Sequence, residues 1–261
     1  MTLITCFSTL GCPQLSLRQA IALAQANDLP MLEIRALSGS TALPSVLAAE
    51  FGTPTQLTAY LAGVPLSIPV VGSSHRLWGD TFDRDSLEDL ADWAEAAGAR
   101  HIRVFDGETG TLDESALDEA ARRLQFWRDL KVSKGLVVDL IIETHGALCD
   151  DQALEQFCTR FADQPILWDT HHSWAAGNAL EHTLEIIGPR LAHLHVKDSR
   201  MVDGKRHYML PGQGDFPMDR LMALLARPSL PAAAVSLEWE LLWHPELTDL
   251  QTALGHARSW T

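Results

Sequence analysis

Short apolar runs alternate along this chain with longer stretches in which apolar side chains recur every three to four positions. The runs read as β-strands and the stretches as amphipathic helices. Strands are predicted at residues 3–7, 31–36, 66–71, 101–106, 137–142, 165–169, 191–196 and 232–237. Helices are predicted at 16–26, 53–62, 86–98, 114–131, 150–161, 179–187, 216–226 and 246–260. Punctuation supports these helices: Ser16 and Ser86 are placed to cap helix starts, Thr53 is followed by Pro54, and Gly98, Gly135 and Gly188 stop helices. Residues 199–214, with Pro211-Gly-Gln-Gly214, show no period and read as a long loop.

Eight strand-then-helix units follow one another without a Gly/Ser linker or a shift in composition. The pattern predicts an α/β chain folded as a single (β/α)8 TIM barrel over residues 1–261. An open doubly wound sheet is the alternative, but the first loop, Ser8 to Pro13, lacks the Gly-x-Gly-x-x-Gly turn that cradles a phosphate.

In such a barrel chemistry sits where strands end. Four successive runs here end in side chains able to bind metal: Glu143, then Asp169 with His171 and His172, then His195 with Lys197 and Asp198, then Glu238 with Glu240. Glu143, Asp169, His195 and Glu238 are therefore expected to line one half of the mouth and to hold a divalent ion. Three carboxylates and one imidazole form a hard, oxygen-rich donor set that suits Mn²⁺ or Mg²⁺, with Co²⁺ or Zn²⁺ as further occupants. Glu240 shares a strand face with Glu238 and stands as the alternative ligand. His172 is expected to touch substrate, and His145 to orient Glu143 or touch substrate itself. Lys197 and Arg200 are the cationic candidates for a substrate hydroxyl or phosphate, unless they neutralise Asp198. His193, one layer below His195, reads as a supporting core residue, and Glu33 and Arg35, two apart, as an ion pair inside the barrel. For His75, Arg103 and Asp106, near other strand ends, a surface salt bridge is as good a reading as a site.

Composition narrows the partners. The chain has 261 residues, 46% of them hydrophobic, which is enough for a large core. Its 20 basic and 34 acidic residues give a formal charge of −14, which opposes long-range attraction to nucleic acid or an anionic membrane. Cys6, Cys12, Cys149 and Cys158 form no Cys-x-x-Cys pair and read as reduced core residues. With no basic, apolar leader and no run long enough to span a bilayer, a soluble cytoplasmic protein is expected, acting on a small molecule. A homo-oligomer is compatible with this reading.

Taken in order, Ser8-Thr-Leu-Gly-Cys-Pro, Leu32-Glu-Ile-Arg, Ile102-Arg-Val-Phe, Glu143-Thr-His, Asp169-Thr-His-His, His193-Leu-His-Val-Lys-Asp, Gly212-Gln-Gly-Asp and Ser236-Leu-Glu resemble the sugar phosphate isomerase/epimerase family, with its xylose isomerase-like TIM barrel. The resemblance implies a divalent metal on Glu143, Asp169, His195 and Glu238, His172 beside the substrate, and Arg200 on a substrate oxygen. It implies an isomerase or epimerase of a sugar or sugar phosphate working through an enediolate, with Glu143 and Glu238 as the acid/base pair. Dehydratases of keto-inositols or dehydroshikimate share the scaffold and are the alternative. A DNA repair nuclease like endonuclease IV is more remote, since Asp203-Gly-Lys205 breaks its Asp-x-His element.

Overall fold

The computed structural model describes residues 4–107, 112–227 and 233–260. Leu3 and Ala232, the first residues of two predicted strands, lie outside them. In chain order the elements are β1 (Cys6–Phe7), α1 (Leu17–Ala26), α2 (Leu43–Phe51), α3 (Pro54–Leu61), β2 (Val70–Arg76), α4 (Arg84–Ala96), β3 (His101–Phe105), α5 (Glu114–Lys134), β4 (Asp139–Glu143), α6 (Asp151–Arg160) and β5 (Ile166–Asp169). They continue with α7 (Thr170–Ala175), α8 (Leu180–Ile187), β6 (Leu191–Val196), β7 (Asp198–Val202), β8 (Lys205–Met209), α9 (Met218–Leu225), β9 (Ala234–Leu237) and α10 (Leu250–Ala257).

Seven strands form one curled sheet in the order β1-β9-β6-β5-β4-β3-β2, every pairing parallel. The eighth position, between β1 and β2, is filled by the predicted strand at 31–36. Glu33 bridges Ser8 on one side, while Met31 and Ile34 bridge Ser67 and Val71 on the other. The fold is the α/β TIM barrel that the alternation of strands and helices predicts.

Along each strand the side chains alternate between the barrel interior and the surrounding helices. Leu140, Ile142, Trp168, Leu194 and Val196 face outward into one core with Leu117, Leu124, Trp127 and Phe157 of the helices. The inward positions are left for Arg103, Glu143, Asp169, His193 and His195, all buried. Hydrophobic burial thus holds the ring of helices on the sheet, and the barrel's inside is free to be polar at its mouth.

Several local predictions need correction. The third strand begins at Val70, later than the predicted 66, so Gly72 to Arg76 belong to β2 rather than to a loop beyond it. Helix α4 is capped by Asp83, whose Oδ1 accepts from the N–H of Ser86 at 2.8 Å; Ser86 lies inside the helix. Residues 199–214 contain an antiparallel hairpin, β7 with β8, where a loop was expected. Helices α2 and α7 were not predicted. The first has a legible signal, Pro44 near its start and Leu43, Leu47 and Phe51 buried on one stripe. Among the described residues no helix is long and apolar enough to cross a membrane.

Candidate metal centre

Glu143, Asp169 and His195 lie on β4, β5 and β6, which are neighbours in the sheet, and Glu238 immediately follows β9, the next strand. Asp169 is in register with His195, and His195 with Ser236, two residues before Glu238. One ligating atom from each of the four lies within 4.8 Å of the others. All four residues are buried.

The ring of His195 is oriented from below. Its Nε2 lies 2.9 Å from Glu33 Oε2, and the Nε2 of His193 lies 2.9 Å from the same oxygen. An ionised carboxylate only accepts, so each Nε2 carries the hydrogen. The predicted Glu33–Arg35 pair is therefore replaced by a Glu33–histidine pair, while His193 takes the supporting place expected of it. With Nε2 committed, His195 Nδ1 faces Glu238 Oε1 at 3.2 Å and Glu143 Oε1 at 3.5 Å, without a hydrogen-bond partner.

Electrostatics keep Glu143 and Glu238 charged. Burial works to raise the Glu143 pKa, but Arg103, with Nε 3.0 Å from Oε2, and His195 outweigh it and bring it to about 2. For Glu238 burial is likewise outweighed by His195 and Lys197, and its pKa falls well below the usual carboxylate range. Burial lifts Asp169, a lift that Lys197 opposes from 2.8 Å. Burial opposes the charge of His195, yet Glu238 and Glu33 hold its pKa well above the ordinary value, so an ion bound at Nδ1 would displace a proton from it. Lys197 Nζ is bound by Asp169 Oδ2 at 2.8 Å, Glu238 Oε2 at 2.6 Å and Glu240 Oε1 at 2.5 Å. It pairs with those three carboxylates and not with Asp198, whose oxygens instead accept the backbone N–H groups of Ser199, Gly212, Gly214 and Phe216.

Asp169 also caps α7, with Oδ1 accepting the N–H of His172 at 2.8 Å. That contact places the His172 ring over the centre, Nε2 3.6 Å from Asp169 Oδ2. Burial and Lys197 push the His172 pKa down to about 3, so the ring is neutral. His145 stacks between Phe105 and His172, with centroids 4.5 and 5.0 Å away. His171, which the sequence left unassigned, is buried against Ser199 Oγ at 2.6 Å. Asp106 accepts from the N–H groups of Gly146 and Leu148 and braces the loop after β4.

Arg200 is not brought to the centre. It is exposed on β7, where its Nε pairs with Asp215 at 3.1 Å, because the hairpin directs it to solvent. Glu240 is separated from the four-residue cluster by its bonds to Lys197 and to the Tyr208 hydroxyl.

A cavity of about 290 Å³ opens above the cluster, lined among others by Arg35, Arg103, Glu143, His172, Lys197 and Glu238. The partnerless Nδ1 of His195, set among ionised carboxylates of a hard donor set, fits a divalent ion.

A family model, the xylose isomerase-like TIM barrel, matches residues 49–260. The chain belongs to that family. A search of curated proteins finds no sequence match to this xylose isomerase-like chain. Solved structures share its fold throughout. The probable 3-DHS dehydratase AsbF of Bacillus anthracis superposes with a TM-score of 0.74 at 16% identity, covering 98% of this chain and 97% of that one. The IolI protein with a bound zinc atom gives 0.71 at 17%, covering 100% and 96%. The D-psicose 3-epimerase of Clostridium cellulolyticum H10, with D-tagatose, gives 0.65 at 16%, covering 98% and 96%. Identities this low speak for the fold.

Proposed function

We propose that this protein is a divalent-metal-dependent isomerase or epimerase that moves a proton next to the carbonyl of a small carbohydrate. The observation that carries the reading is the ring of His195: one nitrogen is committed to Glu33, and the other is partnerless and faces Glu143 and Glu238. Glu143, Asp169, His195 and Glu238 would hold the ion, with Mn²⁺ the best match to the donor set and Mg²⁺, Co²⁺ or Zn²⁺ able to replace it. When bound, a divalent ion supplies positive charge beside the substrate's carbonyl and hydroxyl oxygens, which acidifies the neighbouring C–H.

The protein's own residues do the rest. Glu143 and Glu238 come from β4 and from the end of β9, which flank β5 and β6 in the sheet, so they approach the cavity from two sides. Arg103 holds the first and Lys197 the second in the ionised form that a base requires. One carboxylate removes the proton and the other returns one. Return to the opposite face of the same carbon gives the epimer; return to the neighbouring carbon gives the isomer. Neutral His172, together with the His145 ring, forms the wall against which substrate hydroxyls are oriented, and Lys197, whose three N–H groups go to Asp169, Glu238 and Glu240, holds those carboxylates in place rather than touching substrate.

The test is incubation of the Mn²⁺-loaded protein in D₂O with a panel of ketoses, keto-inositols and dehydroshikimate. Deuterium should enter the carbon next to the carbonyl of one of them. Glu143→Gln at saturating metal should slow that exchange by roughly 10²–10⁴. Exchange as fast as in the parent protein would remove Glu143 from the role of base.

A further inference from the structure

The cavity has a cationic side as well as an acidic one. Arg35 and Arg103 both line it, and they are only 4% and 1% exposed. Both arginines come close to position 72, where glycine leaves them room. A Cβ there would lie 2.6 Å from Arg35 Cδ and 3.2 Å from Arg103 Nη2. Arg103 is paired with an anion within the protein: Glu143 Oε2 lies 3.0 Å from its Nε, its Nη1 donates to Ser73 O at 2.8 Å, and the Phe105 ring lies 3.9 Å beneath its guanidinium carbon. Arg35 is not. Its Nη2 donates to the neutral Ser74 hydroxyl at 3.1 Å, and its Nη1 is buried without a partner. Glu33, the carboxylate two residues before it, is engaged by both histidines.

A buried guanidinium with a free N–H edge is costly unless an anion completes it. Burial and the neighbouring Arg103 push the Arg35 pKa down to about 9, against the opposing pull of Glu143, Glu238 and Glu33, none of which is in contact with its Nη1. A hydroxyl would satisfy one N–H but leave the charge unbalanced. A carboxylate or phosphate matches the planar fork of Arg35 in shape and charge.

We propose that Arg35 is an anion-binding residue of the cavity, and that the natural substrate carries a carboxylate or phosphate taken by its free Nη1 edge. The proposal rests on the reading of this cavity as the reaction site. It makes charge on the substrate a requirement for tight binding.

Calorimetric titration of the Mn²⁺-loaded protein with fructose, fructose 6-phosphate, fructuronate and dehydroshikimate tests it. At least one of the three anions should bind roughly 10- to 100-fold more tightly than fructose, the range expected for hydrogen bonds to a charged group. The phosphate and the two carboxylates separate the two sources of charge. Arg35→Gln should abolish the advantage, and Arg35→Lys, which keeps a cation on a similar stem, should retain part of it. Failure of every anion to outbind fructose, or an advantage that survives Arg35→Gln, overturns the proposal. Deuterium exchange is read separately on the same ligands. An Arg35-dependent preference for anions without exchange leaves the subsite standing and sinks the proposed reaction; exchange on fructose without any preference does the reverse.

Discussion

Glu33 sets the chemistry of His195 without reaching the cluster of ligands itself. By accepting the Nε2 hydrogen it leaves Nδ1 as the nitrogen that faces Glu143 and Glu238. Glu33→Gln offers an amide that can donate to the ring and so favours the wrong tautomer. Mn²⁺ affinity, measured by equilibrium dialysis, should fall roughly 10- to 100-fold. Unchanged affinity in a folded variant would mean that the ring is oriented by packing alone. The sequence shows that Glu33 points inward, since it sits in a strand-like run, but it does not show its partner. The nearest cation on its own face is Arg35, whereas His193 and His195 are 160 and 162 residues away along the chain. Arg103 is hidden in the same way. Its burial and its contact with Glu143 come from the pairing of β3 with β4, which no local pattern displays.

At the scale of elements, the barrel strands were legible and the β7–β8 hairpin was not. Barrel strands are apolar runs because helices cover them. In the hairpin Arg200, Met201, Val202, Lys205, Arg206 and His207 are all exposed, so no buried face imposes a period of two. The remaining signal was Asp203-Gly204, whose positive φ values of 50° and 75° are those of a tight hairpin turn. Asp198 ties the base of the hairpin to the following turn through four backbone N–H groups, and a Cβ at Gly214 would lie 2.0 Å from its Oδ1. Asp198→Ala leaves these donors buried without partners, at about 1–3 kcal/mol for each that water cannot reach. Amide exchange over residues 198–216 should accelerate while that over α5 stays as it was. Equal protection in variant and parent would show that the hairpin is held from elsewhere. The same hairpin explains Arg200, since a residue expected on a substrate oxygen is carried outward to Asp215.

Across the whole molecule the barrel separates stability from chemistry, with helices packed outside and charges gathered at the C-terminal ends of the strands. His101 begins β3, at the other end of the strand from the mouth. Burial pulls its pKa from 6.5 to about 4, against the pull of Asp139. The folded state therefore binds this proton more weakly than the unfolded chain. The contribution to stability is present above pH 6.5 and is lost as pH falls from 6.5 through about 4. Urea midpoints should drop over that interval, and less steeply in His101→Gln; parallel curves would contradict the assignment.

The position of the four candidate ligands was legible because each closes a strand-like run, and neighbouring runs became neighbouring strands. That one ion joins them is the claim on which the proposed function stands. Anomalous scattering from crystals soaked in Mn²⁺ tests it most directly. A single manganese peak is predicted within bonding distance of Glu143, Asp169, His195 and Glu238, with Glu240 still on Lys197. A peak elsewhere in the barrel, a cluster of three ions, or a peak that takes Glu240 in place of Glu238 would contradict the account.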